Sequence, residues 1–104
     1  MSKLKVYISG KISGLEEKEA ELNFAKAEKL LKEKGFDTIN PKVICAHLDG
    51  KGTPWEDYMA VCLSHMPYCQ AIYMQKNWGS STGGRVEYAV AQSMGMRIMF
   101  EETN

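Results

Sequence analysis

The chain has 104 residues, and its 13 basic and 13 acidic side chains give a formal net charge of zero. This balance provides no long-range attraction for a nucleic acid polymer or an anionic membrane, so neither is an expected partner. The length predicts a single domain over residues 1–104, and no apolar stretch is long enough to span a bilayer.

The cysteines and the N-terminus indicate the compartment. Cys45, Cys62 and Cys69 are odd in number and lack Cys-x-x-Cys spacing, and the N-terminus has no apolar signal-peptide region. Both features predict a cytoplasmic protein with reduced, mostly buried thiols. His47 and His65 form no ligand pattern with the cysteines, so neither a metal site nor a cofactor is expected.

The apolar pattern predicts four strands and three helices in alternation. The strands are predicted at residues 4–9, 36–39, 70–74 and 96–100, and the helices at residues 16–34, 54–65 and 84–94. Strands that alternate with helices form a parallel sheet covered on both faces, which predicts the α/β class.

The second helix has a strong predicted start. Thr53 is expected to cap it, Pro54 to take the first helical position and Glu56 to complete a capping box. Trp55 and Tyr58 on this helix favour packing in the core or against a subunit. The alternative role for these two aromatic rings is to wall a base-binding pocket.

Three loops carry polar candidates. Residues 42–53 lack periodicity and are typical of a functional loop or lid, with His47 and Asp49 as its polar members. Residues 9–14 and 77–88, both rich in small side chains, follow the first and third strands. Right-handed crossovers place these two loops at one edge of the sheet, where open α/β sheets bind ligands. We therefore expect them to form one site.

The loop of residues 77–88 favours an anion or a sugar as its ligand. A helix that begins at Gly83 and Gly84 would direct free backbone N–H groups and its positive dipole end at the ligand. Glu87 lies just inside this helix and is the only carboxylate between Asp57 and Glu101. We expect the loop to hold a nucleoside or nucleotide with Glu87 facing the sugar. In the alternative, Glu87 only complements the helix dipole.

The candidate site residues fall into two groups. Glu87 and Tyr7 are the catalytic candidates, although Tyr7 is equally explained as a half-buried strand residue. The candidates for substrate binding are Ser9, Gly10, Lys11, Ser13, Gly14, Trp78, Gly79, Ser80, Ser81, Gly83 and Gly84.

Several segments together resemble one family. They are Val6-Tyr7-Ile8-Ser9-Gly10, Ile12-Ser13-Gly14, Asn40-Pro41, Trp55-x-x-Tyr58-Met59, Cys69-x-Ala71-Ile72-Tyr73, Asn77-Trp78-Gly79-Ser80-Ser81 and Gly83-Gly84-x-x-Glu87. With them the chain resembles the nucleoside 2-deoxyribosyltransferase-like superfamily, in particular its small bacterial and phage DUF4406 branch.

The resemblance implies a flavodoxin-like (Rossmann-like) three-layer sandwich with a four- or five-stranded parallel sheet. It also implies a homodimer or homotetramer whose sites borrow side chains from a neighbour. The implied activity is hydrolysis or base transfer at the N-glycosidic bond of a deoxynucleoside or its 5′-monophosphate. Glu87 matches the nucleophile that attacks C1′, and Tyr7 matches the residue that orients it. We expect the helix N-terminus to keep Glu87 ionised near neutral pH.

Two departures from the family leave other functions open. The family commonly has an acid where this chain has Gln70, and residues 58–86 contain no Asp or Glu. The departing base therefore lacks an evident proton donor, for which Asp57, Asp49 or a neighbouring subunit are candidates. The main alternative is a non-catalytic nucleotide-binding or sensing module.

Two further interpretations concern the ligand. The hydroxyl groups of residues 80–82, with Arg85 nearby, favour a phosphate and hence nucleotide hydrolysis. A flavodoxin-like carrier in which Trp78 stacks on a flavin is a third reading, and it predicts a yellow protein.

Overall fold

The computed structural model describes residues 3–48 and 51–102, so the loop candidate Asp49 lies outside the described residues. The strands are β1 (Lys5–Ser9), β2 (Asp37–Ile39), β3 (Ala71–Met74) and β4 (Arg97–Phe100). The helices are α1 (Glu17–Glu33), α2 (Pro41–Ile44), α3 (Trp55–His65) and α4 (Thr82–Ser93), with single 3₁₀ turns at Ala46–Leu48, Met66–Tyr68 and Trp78–Ser80.

All four strands are parallel, and their order across the sheet is β2-β1-β3-β4. The central strand β1 therefore lies between β2 and β3, with Tyr7 beside Ile39 on one side and Ile72 on the other. This arrangement confirms the predicted parallel α/β sandwich of flavodoxin-like type, with four strands. Within the described ranges, no helix has both the length and the apolar character needed to cross a membrane.

The two faces of the sheet bury different sets of side chains. Toward α1 the core contains Val6, Ile8, Phe24, Ala27, Leu31, Ala71 and Tyr73. Toward α3 and α4 it contains Tyr7, Cys45, Cys62, Met66, Cys69, Ile72, Met74, Ala91 and Met96. Because side chains alternate along a strand, Tyr7 and Ser9 share the second face of β1. The three cysteines are buried and reduced, as predicted.

The connection between β2 and α3 differs from the prediction. The stretch expected to be irregular contains the short helix α2, whose first turn is capped by Asn40: the backbone N–H of Lys42 donates to Asn40 Oδ1 at 2.9 Å. The predicted Thr53 cap is wrong. Pro54 holds the N-cap position of α3, and Thr53 Oγ1 donates instead to the Leu48 carbonyl at 3.2 Å. The Thr53 hydroxyl is engaged in this contact and does not cap α3.

Gly10, directly after β1, has a packing role. A Cβ atom at this position would lie 2.5 Å from Nε2 and 2.8 Å from Cδ of Gln75, the buried residue that follows β3. Contacts this short do not occur between real Cβ atoms and their neighbours, so any larger residue at position 10 would force the buried Gln75 side chain to shift.

We predict that Gly10→Ala lowers the free energy of unfolding by about 1–3 kcal/mol, because the Gln75 side chain must leave its buried position. Urea unfolding measures the change. Gly79→Ala is the matched control, since no neighbouring atom lies within 4 Å of a Cβ there. Adding Gln75→Ala should recover part of the loss through a positive coupling between the two sites. A Gly10→Ala protein as stable as Gly79→Ala would contradict the packing role.

Candidate functional site

The central feature of the site is the Glu87 carboxylate, which is 5% exposed. Tyr7 Oη donates to its Oε2 atom at 2.5 Å, and Ser9 Oγ donates to its Oε1 atom at 2.7 Å. Both donors come from β1, although they lie 80 and 78 positions away in the sequence. The two residues reach the same carboxylate because the strand alternation turns both toward α4.

The start of α4 determines how Glu87 is presented. Ser81 is the N-cap, and its Oγ accepts from the Gly84 backbone N–H at 3.0 Å. Gly84 permits this tight turn, since a Cβ there would lie 3.0 Å from the Trp78 carbonyl oxygen. The helix therefore begins at Thr82, one residue before Gly83 and two before Gly84, where the start was predicted. Glu87 falls in its second turn, beyond the first turn where the helix dipole acts most strongly.

Burial dominates the electrostatics of Glu87. Removal from water raises the pKa of Glu87 from 4.5 to about 7, while the hydrogen bonds from Tyr7 and Ser9 act in the opposite direction. The expectation that the helix N-terminus keeps Glu87 ionised near neutral pH is therefore wrong, because burial outweighs the contacts that favour the charged form.

The neighbouring phenol and thiol remain protonated. Burial, followed by the negative charge of Glu87, raises the pKa of Tyr7 well above its usual value, so Tyr7 acts as a hydrogen-bond donor. Burial likewise raises the pKa of Cys62, whose Sγ lies 3.7 Å from that of Cys45. A buried thiol of this kind is unreactive.

Glu87 borders an open cavity of about 230 Å³ at the carboxyl edge of the sheet. The wall from α3 consists of Trp55, Tyr58, Met59 and Cys62. The loop after β1 contributes Gly10, Ile12 and Ser13, and α4 contributes Gly83 and Glu87. Pro41 and Lys42 of α2 complete the lining together with Phe24 and Thr53. A cavity lined by both a carboxylate and aromatic side chains is suited to a ligand that carries a ring and a polar reactive group.

Trp55 has a different environment from the expected one. Its side chain is 41% exposed, and it lies at the cavity instead of in the core. Tyr58 is half-buried and lines the same cavity while packing against the core. Trp55 is therefore not a core residue, Tyr58 contacts both the core and the cavity, and packing of these rings against a subunit stays a prediction.

The predicted convergence of the two loops is confirmed. The Lys11 backbone N–H donates to Asn77 Oδ1 at 3.0 Å, which joins the loop after β1 to the loop after β3. Of the candidate residues, Gly10, Ser13, Gly83 and Glu87 line the cavity, and Tyr7 and Ser9 contact Glu87.

The remaining candidates lie outside the cavity lining. They are Lys11, Gly14, Trp78, Gly79, Ser80, Ser81 and Gly84. The ring of Trp78 stacks on Tyr88 with centroids 4.6 Å apart, on the side of α4 near Phe100. Ser80 Oγ donates to the Asn77 carbonyl at 3.0 Å, and Arg85 Nη1 donates to the Gly79 carbonyl at 3.4 Å. These groups stabilise the loop itself.

Several lining residues were not among the candidates, and Lys42 is the most informative. It follows β2, whose carboxyl end lies at the same sheet edge as those of β1 and β3. Residues 42–53 were predicted to be a functional loop, with His47 and Asp49 as its polar members. The rule that places ligands at this edge of the sheet would have pointed to Lys42, the residue nearest to β2, as well. The sequence gives no comparable indication that Met59 and Cys62 line a cavity, because apolar residues are expected on any buried helix face.

The acids are sparse around the cavity. Among residues 3–48 and 51–102, Glu87 is the only carboxylate in the lining. Asp57 is exposed on α3 and His47 is exposed on the 3₁₀ turn after α2, and neither contributes to the lining. The same residues contain no group of three or more His, Cys, Asp and Glu side chains that could hold a metal ion.

A larger depression of about 480 Å³ lies on the opposite face of the sheet, between α1 and the ends of β3 and β4. None of the lysines and glutamates that line it is buried. We assign the candidate site to the smaller cavity, since it contains the buried ionisable group and its two hydroxyl donors.

We predict that Glu87 makes the stability of the protein fall as the pH rises. The native state binds a proton more tightly than the unfolded chain, so this contribution is fully present below about pH 4.5 and is lost as the pH rises through about 7. Between pH 5 and 8 the wild type should lose about 2–3 kcal/mol more free energy of unfolding than Glu87→Gln. Urea unfolding at several pH values measures this difference, and parallel curves for the two proteins would contradict it.

Comparison with known proteins gives a family. The family model described as Domain of unknown function (DUF4406) matches residues 4–100. This range includes strands β1 to β4, helices α1 to α4 and the cavity lining described above. The search of curated proteins returned no match. Because the matched range covers nearly all of the 104 residues, the chain belongs to the DUF4406 family.

Proposed function

We propose that the protein acts on the N-glycosidic bond of a deoxynucleoside or its 5′-monophosphate, with Glu87 as the nucleophile. The observation that carries this proposal is the buried carboxylate, held by the Tyr7 and Ser9 hydroxyls at the wall of an open cavity with an aromatic side. The resemblance to the nucleoside 2-deoxyribosyltransferase-like superfamily adds the reaction type. The carboxylate supplies the charge that an oxocarbenium-like transition state requires.

The proposed reaction has two steps. An ionised Glu87 oxygen forms a bond to C1′ of the sugar while the C1′–N bond breaks, and the bonding electron pair leaves with the base. A water molecule then attacks C1′ of the glycosyl ester, the C1′–O bond to Glu87 breaks, and the proton lost by the water balances the one taken up by the departed base. In a transfer, a nitrogen of a second base attacks C1′ instead and gives up its proton in the same way. Tyr7 and Ser9 act as positioning residues, because their hydrogen bonds fix both carboxylate oxygens and favour the charged form.

The second candidate function is a nucleotide-binding or sensing module without turnover. It is favoured by the single carboxylate in the described lining, since a departing base also needs a proton. In a homodimer or homotetramer, a neighbouring subunit could supply that acid and cover the cavity, which is smaller than a typical ligand site. The two candidate functions differ in turnover, and both predict binding.

We predict that the wild type releases free base from one or more of the four common deoxynucleosides or their 5′-monophosphates. Glu87→Gln should reduce the rate by at least about a thousandfold, because the amide cannot form the ester. Chromatography of the reaction mixture detects the base. Glu101→Gln is a matched control, since this carboxylate lies beyond the cavity and accepts from the Lys76 backbone N–H. Saturable binding without base release by the wild type would support the second candidate function.

We predict that kcat/KM rises with pH through about 7, because the attacking group must be ionised. At pH 6 the value should be about one-tenth of the plateau reached above pH 8. Tyr7→Phe removes a hydrogen bond that lowers the pKa of Glu87, so the midpoint should move to higher pH. A rate that falls across this range would instead identify Glu87 as a proton donor.

A further inference from the structure

Lys42 is the only cationic side chain among the described residues that line the cavity. It lies in α2, directly after β2, and is half-buried. Glu87 lies over β1, where Tyr7 and Ser9 hold it. Since β2 and β1 are neighbours in the sheet, Lys42 and Glu87 both line the cavity at the same sheet edge.

The third side of the cavity is aromatic. Trp55 and Tyr58 of α3 present ring surface to the same space as Glu87 and Lys42. Flat ring surface suits a nucleobase, a carboxylate suits C1′ of the sugar, and an ammonium group suits an anion. The lining thus offers three chemically different places for one mononucleotide.

The glycine-rich loop is a weaker place for the anionic part of a ligand. The Ser81 hydroxyl caps α4, and the Ser80 hydroxyl donates to the Asn77 carbonyl. Arg85 is exposed and donates to the Gly79 carbonyl, and none of these three residues lines the cavity. A phosphate within the cavity would have Lys42 as its cationic partner.

We propose that Lys42 binds the 5′-phosphate and makes the protein selective for deoxynucleoside monophosphates over deoxynucleosides. The inference rests on the proposed function in one respect, namely that the ligand is a nucleoside or nucleotide with its sugar at Glu87. It replaces the loop hydroxyls and Arg85 as the expected phosphate partners with a residue that follows the second strand.

Charge balance gives Lys42 a second effect on the same ligand. A phosphate dianion near Glu87 opposes ionisation of the carboxyl group, because like charges repel. The ammonium group offsets this repulsion when it pairs with the phosphate. Lys42 therefore lets a doubly charged ligand occupy a cavity whose carboxylate must itself carry charge.

The test compares binding and turnover of the four common deoxynucleosides with those of their 5′-monophosphates. Isothermal titration calorimetry gives the affinities, and base release gives kcat/KM, for the wild type, Lys42→Met and Lys42→Arg. Lys26→Met is the matched control, because Lys26 is an exposed lysine of α1 beside the depression on the opposite sheet face. Circular dichroism and urea unfolding verify that each variant folds.

Lys42→Met should weaken monophosphate affinity about ten- to hundredfold, the range expected for one charge-assisted contact, and leave deoxynucleoside affinity within about twofold. Lys42→Arg should retain most of the selectivity, and Lys26→Met should change neither ligand. Equal losses for both ligands, no loss for either, or no binding of any monophosphate would overturn the inference.

Binding and turnover separate this inference from the proposed function. Lys42-dependent monophosphate binding without base release would support the inference and contradict the proposed reaction. Base release from deoxynucleosides and monophosphates alike, unaffected by Lys42→Met, would support the reaction and overturn the role of Lys42.

Discussion

The structure depends on the burial of one carboxyl group between a strand and a helix. A charged group removed from water is costly unless hydrogen-bond donors surround it, and Glu87 has two of them, Tyr7 and Ser9. These contacts connect β1 to Glu87, about 80 positions away, so they form only when α4 packs against the sheet. The same contacts that satisfy the buried acid also align it with the cavity. Fold and candidate chemistry therefore share one set of atoms.

The two faces of the sheet have different roles. The face beneath α1 is an apolar contact of Val6 and Ile8 with Phe24, Ala27 and Leu31 and contains no buried acid among the described residues. The other face carries the polar atoms of Tyr7, Ser9 and Glu87 within an apolar surround. This separation lets α1 stabilise the sheet while α2, α3 and α4 supply most of the cavity lining, to which α1 adds Phe24.

Much of the fold could be predicted from the sequence, because strand and helix periodicities are local. The loops of residues 9–14 and 77–88 could be assigned to one edge of the sheet because alternating strands and helices predict parallel strands with right-handed crossovers. The N-cap of α3 could not be predicted, since Thr53 donates to the Leu48 carbonyl, a partner that the loop fold supplies. The raised pKa of Glu87 also escaped prediction, because it results from burial by neighbouring elements and not from its position in the helix.

The alternation along β1 has a consequence for sequence variation. Val6 and Ile8 face α1, whereas Tyr7 and Ser9 face α4. An insertion or deletion of one residue within this strand would exchange its two faces, so that hydroxyl groups would enter the hydrocarbon core and methyl groups would meet Glu87. A chain that keeps both the core and the acid must therefore keep the register of β1.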